Sequence, residues 1–221
     1  MNKTIMLDLE KKGLILVPGG NIFIPISLGN HYYSKKILRR LMDDFVAKSR
    51  LSVIFVCDRL RFLSYKIRGV ADDEMIKARI SVQLDQIISA LVEAGVKSHG
   101  NAILADWEFI QDDHQHTRLL SRLNELIERS PILQRQVDTY AARMIHSFRG
   151  KIENLHYQRQ YLIEETALSI YMTEIRGFNV ELYRRGMGLV DALYRESSDE
   201  LMLMLGKSKL DRQFIALEGL L

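Results

Sequence analysis

The residue that most strongly suggests chemistry is a serine between an apolar stretch and a helical one. Residues 23–45 read FIPISLGNHYYSKKILRRLMDDF, and Ser27 is followed closely by Gly29 and Asn30. In this position the hydroxyl could cap a helix that begins beyond Gly29. It could also act as a nucleophile, because unpaired N–H groups at a helix amino end stabilise an oxyanion. The local pattern leaves both interpretations open.

Two other segments carry side chains that could act together with this serine. Tyr161 and Glu165 are four residues apart in YLIEETALSIY, so a helix would present both on one face. Tyr183 stands at the end of the apolar stretch FNVELY, as Ser27 stands at the end of the apolar stretch FIPI. These two segments make a role for Ser27 beyond helix capping more plausible only if the fold brings the three segments together.

The hydrophobic pattern predicts the elements that would position these residues. Strands are predicted at 14–17, 21–26, 51–58, 101–107, 178–184 and 200–205, and helices at 32–48, 72–94, 113–129, 131–148, 151–176 and 187–194. The run LSVIFVCD at 51–58 is continuously apolar, which is typical of a parallel strand covered on both faces. The alternation predicts an α/β fold with a mainly parallel sheet flanked by helices. In such sheets the working site lies beyond the carboxyl ends of the strands.

The bulk composition predicts one soluble domain over residues 1–221. The chain is 47% apolar and 27% charged, and its length suffices for one full core. Cys57 is the only cysteine, so disulfide frameworks and multi-cysteine zinc sites are excluded. Charged residues stand where a signal peptide needs an apolar core, which together with the single cysteine predicts a cytoplasmic protein. No apolar run approaches the roughly 20 residues of a membrane span.

Several common function classes lose support because their motifs are missing. The sequence contains no G-x-G-x-x-G, no G-x-x-x-x-G-K-[ST] and no G-x-S-x-G. Asp112, Asp113, His114 and His116 are interpreted as a polar helix start instead of a metal site, because no partner cluster stands out elsewhere. The net charge of +3 permits a nucleic-acid partner without requiring one.

In order and spacing, the segment ISLGNHYYS, the pair Tyr161 and Glu165, and the strand-end Tyr183 resemble the cyclodipeptide synthases. The resemblance spans nearly the whole chain. It implies a single Rossmann-like domain similar to the catalytic domain of class I tyrosyl- and tryptophanyl-tRNA synthetases, without their ATP-binding motifs. It also implies that two aminoacyl-tRNAs are converted to a cyclic dipeptide by ping-pong acyl transfer. Because the substrates arrive as activated esters, no cofactor is implied.

The same resemblance implies a role for each candidate residue. Ser27 would carry the first aminoacyl group as an ester. Because an aminoacyl-tRNA is a reactive acyl donor, the serine would need no strong histidine base. Tyr161 and Glu165 would hold the amino group of that residue, and the carboxylate could later accept its proton. Tyr183 would orient the acyl group and relay a proton as the dipeptidyl ester cyclises. Asn30 matches the subgroup with asparagine after the Ser-x-Gly loop and would lie near the second substrate.

Three positions depart from the family pattern. Pro25 replaces a glycine and offers no N–H donor. Glu181 lies on the same side of its strand as Tyr183, in the first-substrate pocket, where a buried carboxylate needs a partner. It would select a first residue such as histidine, lysine or arginine, and Arg184 would favour an acidic second residue. Alternatively, Glu181 and Arg184 pair with each other or face solvent. The remaining walls of the first pocket would be apolar and would comprise Phe23, Phe55, Cys57 and Leu168. Packing in the core explains these four residues equally well.

Basic residues that could contact tRNA lie mainly on the first predicted helix. Their i, i+4 spacing forms stripes that could meet phosphates, although a solvated helix face explains them almost as well. The candidate tRNA contacts are Lys35, Lys36, Arg39, Arg40, Lys77 and Arg79. A further basic group comprises Arg59, Arg61, Lys66 and Arg68.

Two competing functions use the same features differently. A tRNA- or nucleotide-binding module of synthetase-like fold would explain the fold and the basic residues but would leave the four candidate catalytic residues without a role. A small-molecule hydrolase based on Ser27 lacks a well-placed histidine–acid pair, since only His31 is near it in sequence. The sequence therefore favours a cyclodipeptide synthase that acts as a monomer on two aminoacyl-tRNAs, with no metal and no membrane partner.

Overall fold

A parallel sheet forms the middle of the fold, and its strand order reverses around the first strand. The computed structural model describes residues 20–147, 149–184 and 188–218. In these ranges the strands are β1 (Asn21–Ile26), β2 (Leu51–Val56), β3 (Ala102–Ala105), β4 (Val180–Tyr183) and β5 (Gln213–Ala216). They pair in parallel in the order β3-β2-β1-β4-β5. The strand predicted at 21–26 is thus confirmed with the same ends, and those predicted at 51–58, 101–107 and 178–184 are confirmed as shorter strands.

Helices connect the strands and cover both faces of the sheet. They are α1 (Lys35–Asp44), α2 (Asp58–Ile67), α3 (Asp73–Glu93), α4 (Glu108–Gln111), α5 (His114–Arg129), α6 (Pro131–Ser147), α7 (Leu155–Ile170), α8 (Gly188–Glu196) and α9 (Ser198–Leu205). Short 3-10 turns lie at Val46–Lys48, Val96–Ser98 and Ile152–Asn154, and a π turn at Tyr171–Ile175 continues α7. The predicted start at Ser130 and Pro131 is confirmed, because Ser130 Oγ accepts a hydrogen bond from the Leu133 amide at 3.3 Å.

Alternate residues of β1 face two separate apolar layers. Ile22, Ile24 and Ile26 pack in the layer that includes the buried faces of α1 and α3. Phe23 belongs to the other layer, which is built with α2 and with α5 to α9. Because both faces of the sheet are covered, its inner strands are mostly apolar. The structure therefore confirms the α/β prediction. Within the described ranges, no helix has both the length and the apolar character needed to cross a membrane.

The strand predicted at 200–205 is wrong, because this segment forms α9. Leu201 and Met204 are buried while Leu203 is 82% exposed, so burial follows the three-residue step of a helix. Asp199 and Glu200 occupy the first turn, where acidic side chains favour a helix. A run that is almost entirely apolar has no period of its own, and only the tertiary contacts decide which residues face inward.

Other differences concern elements that the sequence did not predict or placed incorrectly. The helix α2 was missed, although Leu60, Leu63 and Ile67 lie on its buried face at helical spacing. Strand β5 was also missed because four residues carry little periodicity. The helix predicted at 32–48 begins only at Lys35. The strand predicted at 14–17 lies outside the described residues.

A proline is tolerated in the central strand because of where the neighbouring ladder ends. Strand β4 pairs with β1 only at Ile22 and Phe23, so Pro25 needs no N–H on that side. The buried carbonyl of Pro25 instead accepts a hydrogen bond from the Tyr33 hydroxyl at 3.0 Å. This bond fixes the loop that follows β1 to the strand itself.

Replacing Tyr33 by phenylalanine should destabilise the protein by about 1–2 kcal/mol, because the Pro25 carbonyl would be left buried without its donor. Urea denaturation measures the loss. Tyr32→Phe is the matched control, since the Tyr32 hydroxyl is buried without a hydrogen-bond partner among the described residues. Equal losses in the two variants would contradict the role assigned to the Tyr33 hydroxyl.

Candidate active site

A tight turn after β1 presents Ser27 at the carboxyl edge of the sheet. The Asn30 amide donates to the Ser27 carbonyl at 3.3 Å, and Gly29 adopts the left-handed conformation with φ of 69°. The interpretation of Ser27 as a helix cap is wrong. Ser34 caps α1 instead, its hydroxyl accepting from the Ile37 amide, so the helix does not begin directly beyond Gly29 as the sequence suggested. The Ser27 side chain is left available for another role.

Ser27 and Tyr183 meet where the order of the strands reverses. In the chain β1 is followed by strands on one side, but β4 adds to its other side, and crevices at such points commonly hold ligands. Ser27 follows β1, and Tyr183 is the last residue of β4. Their hydroxyl oxygens are 2.5 Å apart and share a hydrogen bond.

Helix α7 contributes Tyr161 and Glu165 to the same place. Glu165 accepts hydrogen bonds from the hydroxyls of Tyr161 and Tyr183. Burial, reinforced by the nearby charge of Glu181, raises the pKa of Glu165 to about 8, although the two phenols oppose this shift. The pKa of Tyr183 is raised as well, by burial and then by Glu165. The structure thus brings all four candidate catalytic residues into one hydrogen-bonded group.

A cleft of about 610 Å³ opens over this group. Ser27, Tyr161, Glu165 and Tyr183 all line it. Cys57 also lines it, but burial raises the pKa of its thiol, which donates weakly to the Phe55 carbonyl at 3.8 Å. Because a thiolate is the nucleophilic form of cysteine, Cys57 does not compete with Ser27.

A much smaller cavity lies against the cleft and matches the predicted first-substrate pocket. It leaves about 10 Å³, roughly the room for one water molecule. Phe23, Pro25, Cys57 and Leu168 line it together with Glu165, Glu181 and Tyr183. Phe55, also predicted for this pocket, packs in the core edge-on to Phe23 and Trp107. A substrate side chain could enter only if these walls moved apart.

Glu181 closes this small cavity with a buried, half-satisfied carboxylate. It is 0% exposed, and its Oε2 accepts bonds from Ser169 at 2.8 Å and from Arg212 at 2.6 Å. Its Oε1 is buried with no partner in the described parts of the chain. Burial raises the pKa of Glu181, while Arg212 opposes the shift. The alternative that Glu181 pairs with Arg184 is therefore wrong.

Arg184 also lines the cleft, beside Asn30. Its Nη1 donates to Asn30 Oδ1 at 3.4 Å, and its guanidinium lies 5.3 Å from the Tyr32 ring centroid. Its Nη2 is 3.5 Å from Glu218. The Arg184 Nε is buried and has no hydrogen-bond partner among the described residues. An unsatisfied N–H of this kind is suited to an anionic group.

The predicted tRNA contacts are spread over α1 and α3, and several already pair with acids. The exposed pairs are Lys35 with Glu93 at 2.5 Å and Lys77 with Glu74 at 2.7 Å, while the half-buried Arg40 lies 3.7 Å from the buried Asp44. Lys36 and Arg39 are exposed, and the Arg79 guanidinium lies 5.9 Å from the Tyr65 ring centroid. Exposed ion pairs are weak and exchange readily, so these contacts stay predictions.

The polar segment at 112–116 is a helix start, as the sequence predicted. Asp113 caps α5 by accepting from the amides of Gln115 and His116. His116 is buried between the rings of Trp107 and Tyr171. Over the ranges that the structure covers, no three His, Cys, Asp or Glu side chains are grouped so as to hold a metal ion.

Two residues of the site were missed from the sequence. Arg212 precedes the short strand β5, and Ser169 lies on α7 four residues after Glu165. The spacing of Glu165 and Ser169 was a usable signal, because it puts both on one helix face. Nothing local distinguishes Arg212, whose guanidinium lies between the rings of Tyr194 and Phe214.

Solved structures similar to this one include cyclodipeptide synthases and a tRNA synthetase. A cyclodipeptide synthase (CDPS) from Fluoribacter dumoffii has a TM-score of 0.75 at 15% identity and covers 91% of this chain and 90% of its own. The enzyme from Candidatus Glomeribacter gigasporarum, solved bound to Phe-tRNAPhe, gives 0.60 at 15% identity, with 96% and 92% covered. Tyrosyl-tRNA synthetase from Archaeoglobus fulgidus gives 0.62 at 13% identity, with 97% and 58% covered.

At these identities the similarity establishes the fold. The chain therefore has the Rossmann-like α/β architecture that cyclodipeptide synthases share with tyrosyl-tRNA synthetase, as the sequence predicted. No protein-family model matches the sequence, and no curated protein does.

The raised pKa of Glu165 makes stability depend on pH. The folded state binds this proton up to about pH 8, whereas the unfolded chain releases it near 4.5. The stabilisation is therefore complete below about pH 4.5 and is lost as the pH rises to about 8. Urea denaturation at several pH values should show a steeper loss for the wild type than for Glu165→Gln.

Glu200→Gln, which removes an exposed carboxylate from α9, is the control for this comparison and should follow the wild type. If the wild type and Glu165→Gln had the same pH dependence, Glu165 would be ionised in the folded protein at neutral pH.

Proposed function

We propose that this protein is an aminoacyl-tRNA-dependent cyclodipeptide synthase of the subgroup with asparagine after the Ser-x-Gly loop. The observation that carries the proposal is the hydrogen bond of Ser27 to Tyr183, beside Glu165 and Tyr161, at the carboxyl edge of this fold. Serine attack on an ester needs a proton acceptor, and a connected path to a carboxylate supplies one.

The first step would be acylation of Ser27. Its Oγ attacks the acyl carbon of the first aminoacyl-tRNA, the bond to the ribose oxygen breaks, and that oxygen takes the proton that Ser27 has released, so Glu165 is ionised again when the step ends. Because Tyr183 donates to Glu165, the Ser27 proton can pass to the Tyr183 oxygen as the tyrosine proton moves toward Glu165. A carboxyl group with a pKa of about 8 is well suited to accept and return a proton near neutral pH.

The second and third steps would form two amide bonds. Tyr161 and Glu165 hold the ammonium of the residue bound to Ser27, and Glu165 accepts its proton. The free amine then attacks the ester carbon of the second aminoacyl-tRNA and releases that tRNA. The amine of the new dipeptidyl ester attacks the acyl carbon on Ser27, which closes the ring and restores the hydroxyl. The path through Tyr183 returns the proton to Ser27.

The pocket chemistry favours a polar first residue and an acidic second residue. A side chain that donates to the unpartnered Glu181 Oε1 would satisfy it. Since Arg212 already supplies one positive charge there, a neutral donor such as a histidine imidazole fits better than lysine or arginine. The Arg184 Nε suits a carboxylate on the side chain of the second residue, which would then lie near Asn30.

The partners in this proposal are two aminoacyl-tRNAs, taken in turn by one monomer of a single domain in the cytoplasm. The reaction uses energy already stored in the tRNA esters, so the proposal requires no cofactor. Lys35, Lys36, Arg39, Arg40, Lys77 and Arg79 remain the proposed contacts for the body of the tRNA.

Intact-protein mass spectrometry after a rapid quench with charged tRNA tests the covalent step. Wild type should gain the mass of one aminoacyl group, and Ser27→Ala should gain none. Ser34→Ala, which removes the α1 cap, is the control and should still be acylated. Tyr183→Phe should slow acylation by about 100-fold because the proton path is broken. Binding of tRNA by the wild type without any acylation would support the non-catalytic module instead.

Substitution of the buried pair tests the first pocket. Glu181→Leu alone would leave Arg212 buried without its main partner, so the informative variant combines it with Arg212→Leu. With mixed aminoacyl-tRNAs, the products should shift toward apolar first residues, as seen by mass spectrometry. Glu181→Gln keeps the shape and serves as the comparison. An unchanged set of products in the double variant would exclude Glu181 as the selecting residue.

A further inference from the structure

The charged side chains that line the cleft are mostly positive. They are Arg61, Arg68 and Arg184, against the single carboxyl group of Glu165. Because burial raises the pKa of Glu165 to about 8, this group carries little negative charge near neutral pH. The cleft therefore complements a substrate with several negative charges.

Arg61 is fixed close to the nucleophile by neutral partners. Its Nε donates to Gln83 at 2.9 Å, and its guanidinium lies 4.7 Å from the Tyr65 ring centroid. A Cβ added to Gly29 would lie only 2.6 Å from the Arg61 Nη2, so the guanidinium is packed directly against the turn that holds Ser27. Burial raises the pKa of Tyr161, and the positive charge of Arg61 opposes this increase.

Arg68 continues the positive charge along the same helix. It is the C-cap residue of α2, seven residues after Arg61, which places the two about 10 Å apart on one face. Burial and then the positive charges of Arg61 and Arg149 lower the pKa of Arg68. Like charges held this close in an open cleft repel one another, and a bound anion would relieve the repulsion.

We propose that Arg61 and Arg68 bind the backbone phosphates at the 3′ end of the aminoacyl-tRNA, with Arg61 on the phosphate of the terminal nucleotide. The inference rests on the proposed function and assigns to these residues a part of the substrate that the acyl pockets do not contact. Because Arg61 and Arg68 lie about 10 Å apart along α2, they can reach separate phosphates of an extended strand.

The chemistry of the substrate explains why Arg61 is the residue nearest Ser27. In an aminoacyl-tRNA only the terminal ribose separates the acyl ester from the 5′ phosphate of the same nucleotide. A guanidinium beside the nucleophile can therefore hold that phosphate while the ester carbon reaches Ser27. A bidentate arginine contact would also fix the orientation of the ribose.

Donors that differ only in their phosphates test the assignment. The rate of Ser27 acylation is measured with an aminoacylated CCA trinucleotide and with the aminoacyl ester of adenosine, which has no phosphate. Arg61→Gln should lower kcat/KM about tenfold for the trinucleotide and leave the adenosine ester nearly unchanged. Arg129→Gln, which removes an exposed charge from α5, is the control and should behave as the wild type. Equal losses on both donors, or no loss on either, would overturn the assignment.

Binding of the uncharged CCA trinucleotide separates this inference from the proposed function. Fluorescence anisotropy of a labelled trinucleotide with Ser27→Ala measures affinity without chemistry. Adding Arg61→Gln or Arg68→Gln should weaken binding about tenfold and reduce the slope of log affinity against log salt by about 0.7. If the trinucleotide binds in this way but wild type is never acylated, the proposed function fails and the phosphate site stands. If acylation occurs and the affinity for the trinucleotide is unaffected by the arginine substitutions, the proposed function stands and the phosphate site fails.

Discussion

The contact between Ser27 and Tyr183 depends on the early end of the ladder between β1 and β4. In register, Phe23 pairs with Glu181, so Pro25 would be opposite Tyr183 if pairing continued. Proline has no N–H to continue the ladder, and the Pro25 carbonyl is bonded to Tyr33. The strands therefore part at their carboxyl ends, and side chains bridge the gap that backbone bonds leave. The departure at Pro25 is thus part of how the crevice is made.

Buried carboxyl groups outnumber the cations available to them, and this imbalance sets the state of Glu165. Arg212 contacts both Glu181 and Asp191, at 2.6 and 3.0 Å. Burial and then the nearby charge of Glu181 keep the proton on Glu165 to about pH 8, and the hydrogen bonds from the two tyrosine hydroxyls oppose this shift. Since the one guanidinium is already used, a substrate ammonium is the cation best able to ionise Glu165. Substrate binding and the generation of the base would then be one event.

Strand ends and helix faces were predictable here because they follow from local periodicity. The positions of Ser27, Tyr183, Tyr161 and Glu165 needed only the strand ends and a four-residue helical step. The sequence could not predict Arg212, because its pairing with Glu181 joins β4 to the short strand β5 through the sheet. Residues 200–205 were predicted as a strand instead of a helix because an apolar run fits either until burial selects one face.

The cleft is lined by one carboxyl group that is uncharged near neutral pH and by three arginines, and their charges depend on each other. An ionised Glu165 would attract the nearby arginines and offset the charge with which they meet an anionic strand. In the proposed reaction, a protonated Glu165 would preserve that positive charge until an ammonium arrives, and the ammonium would come attached to the same strand. Phosphate contacts could then form before the base exists, and acyl transfer would be restricted to substrates that supply both groups. Burial of one carboxyl group beside two phenols would be enough to impose this order.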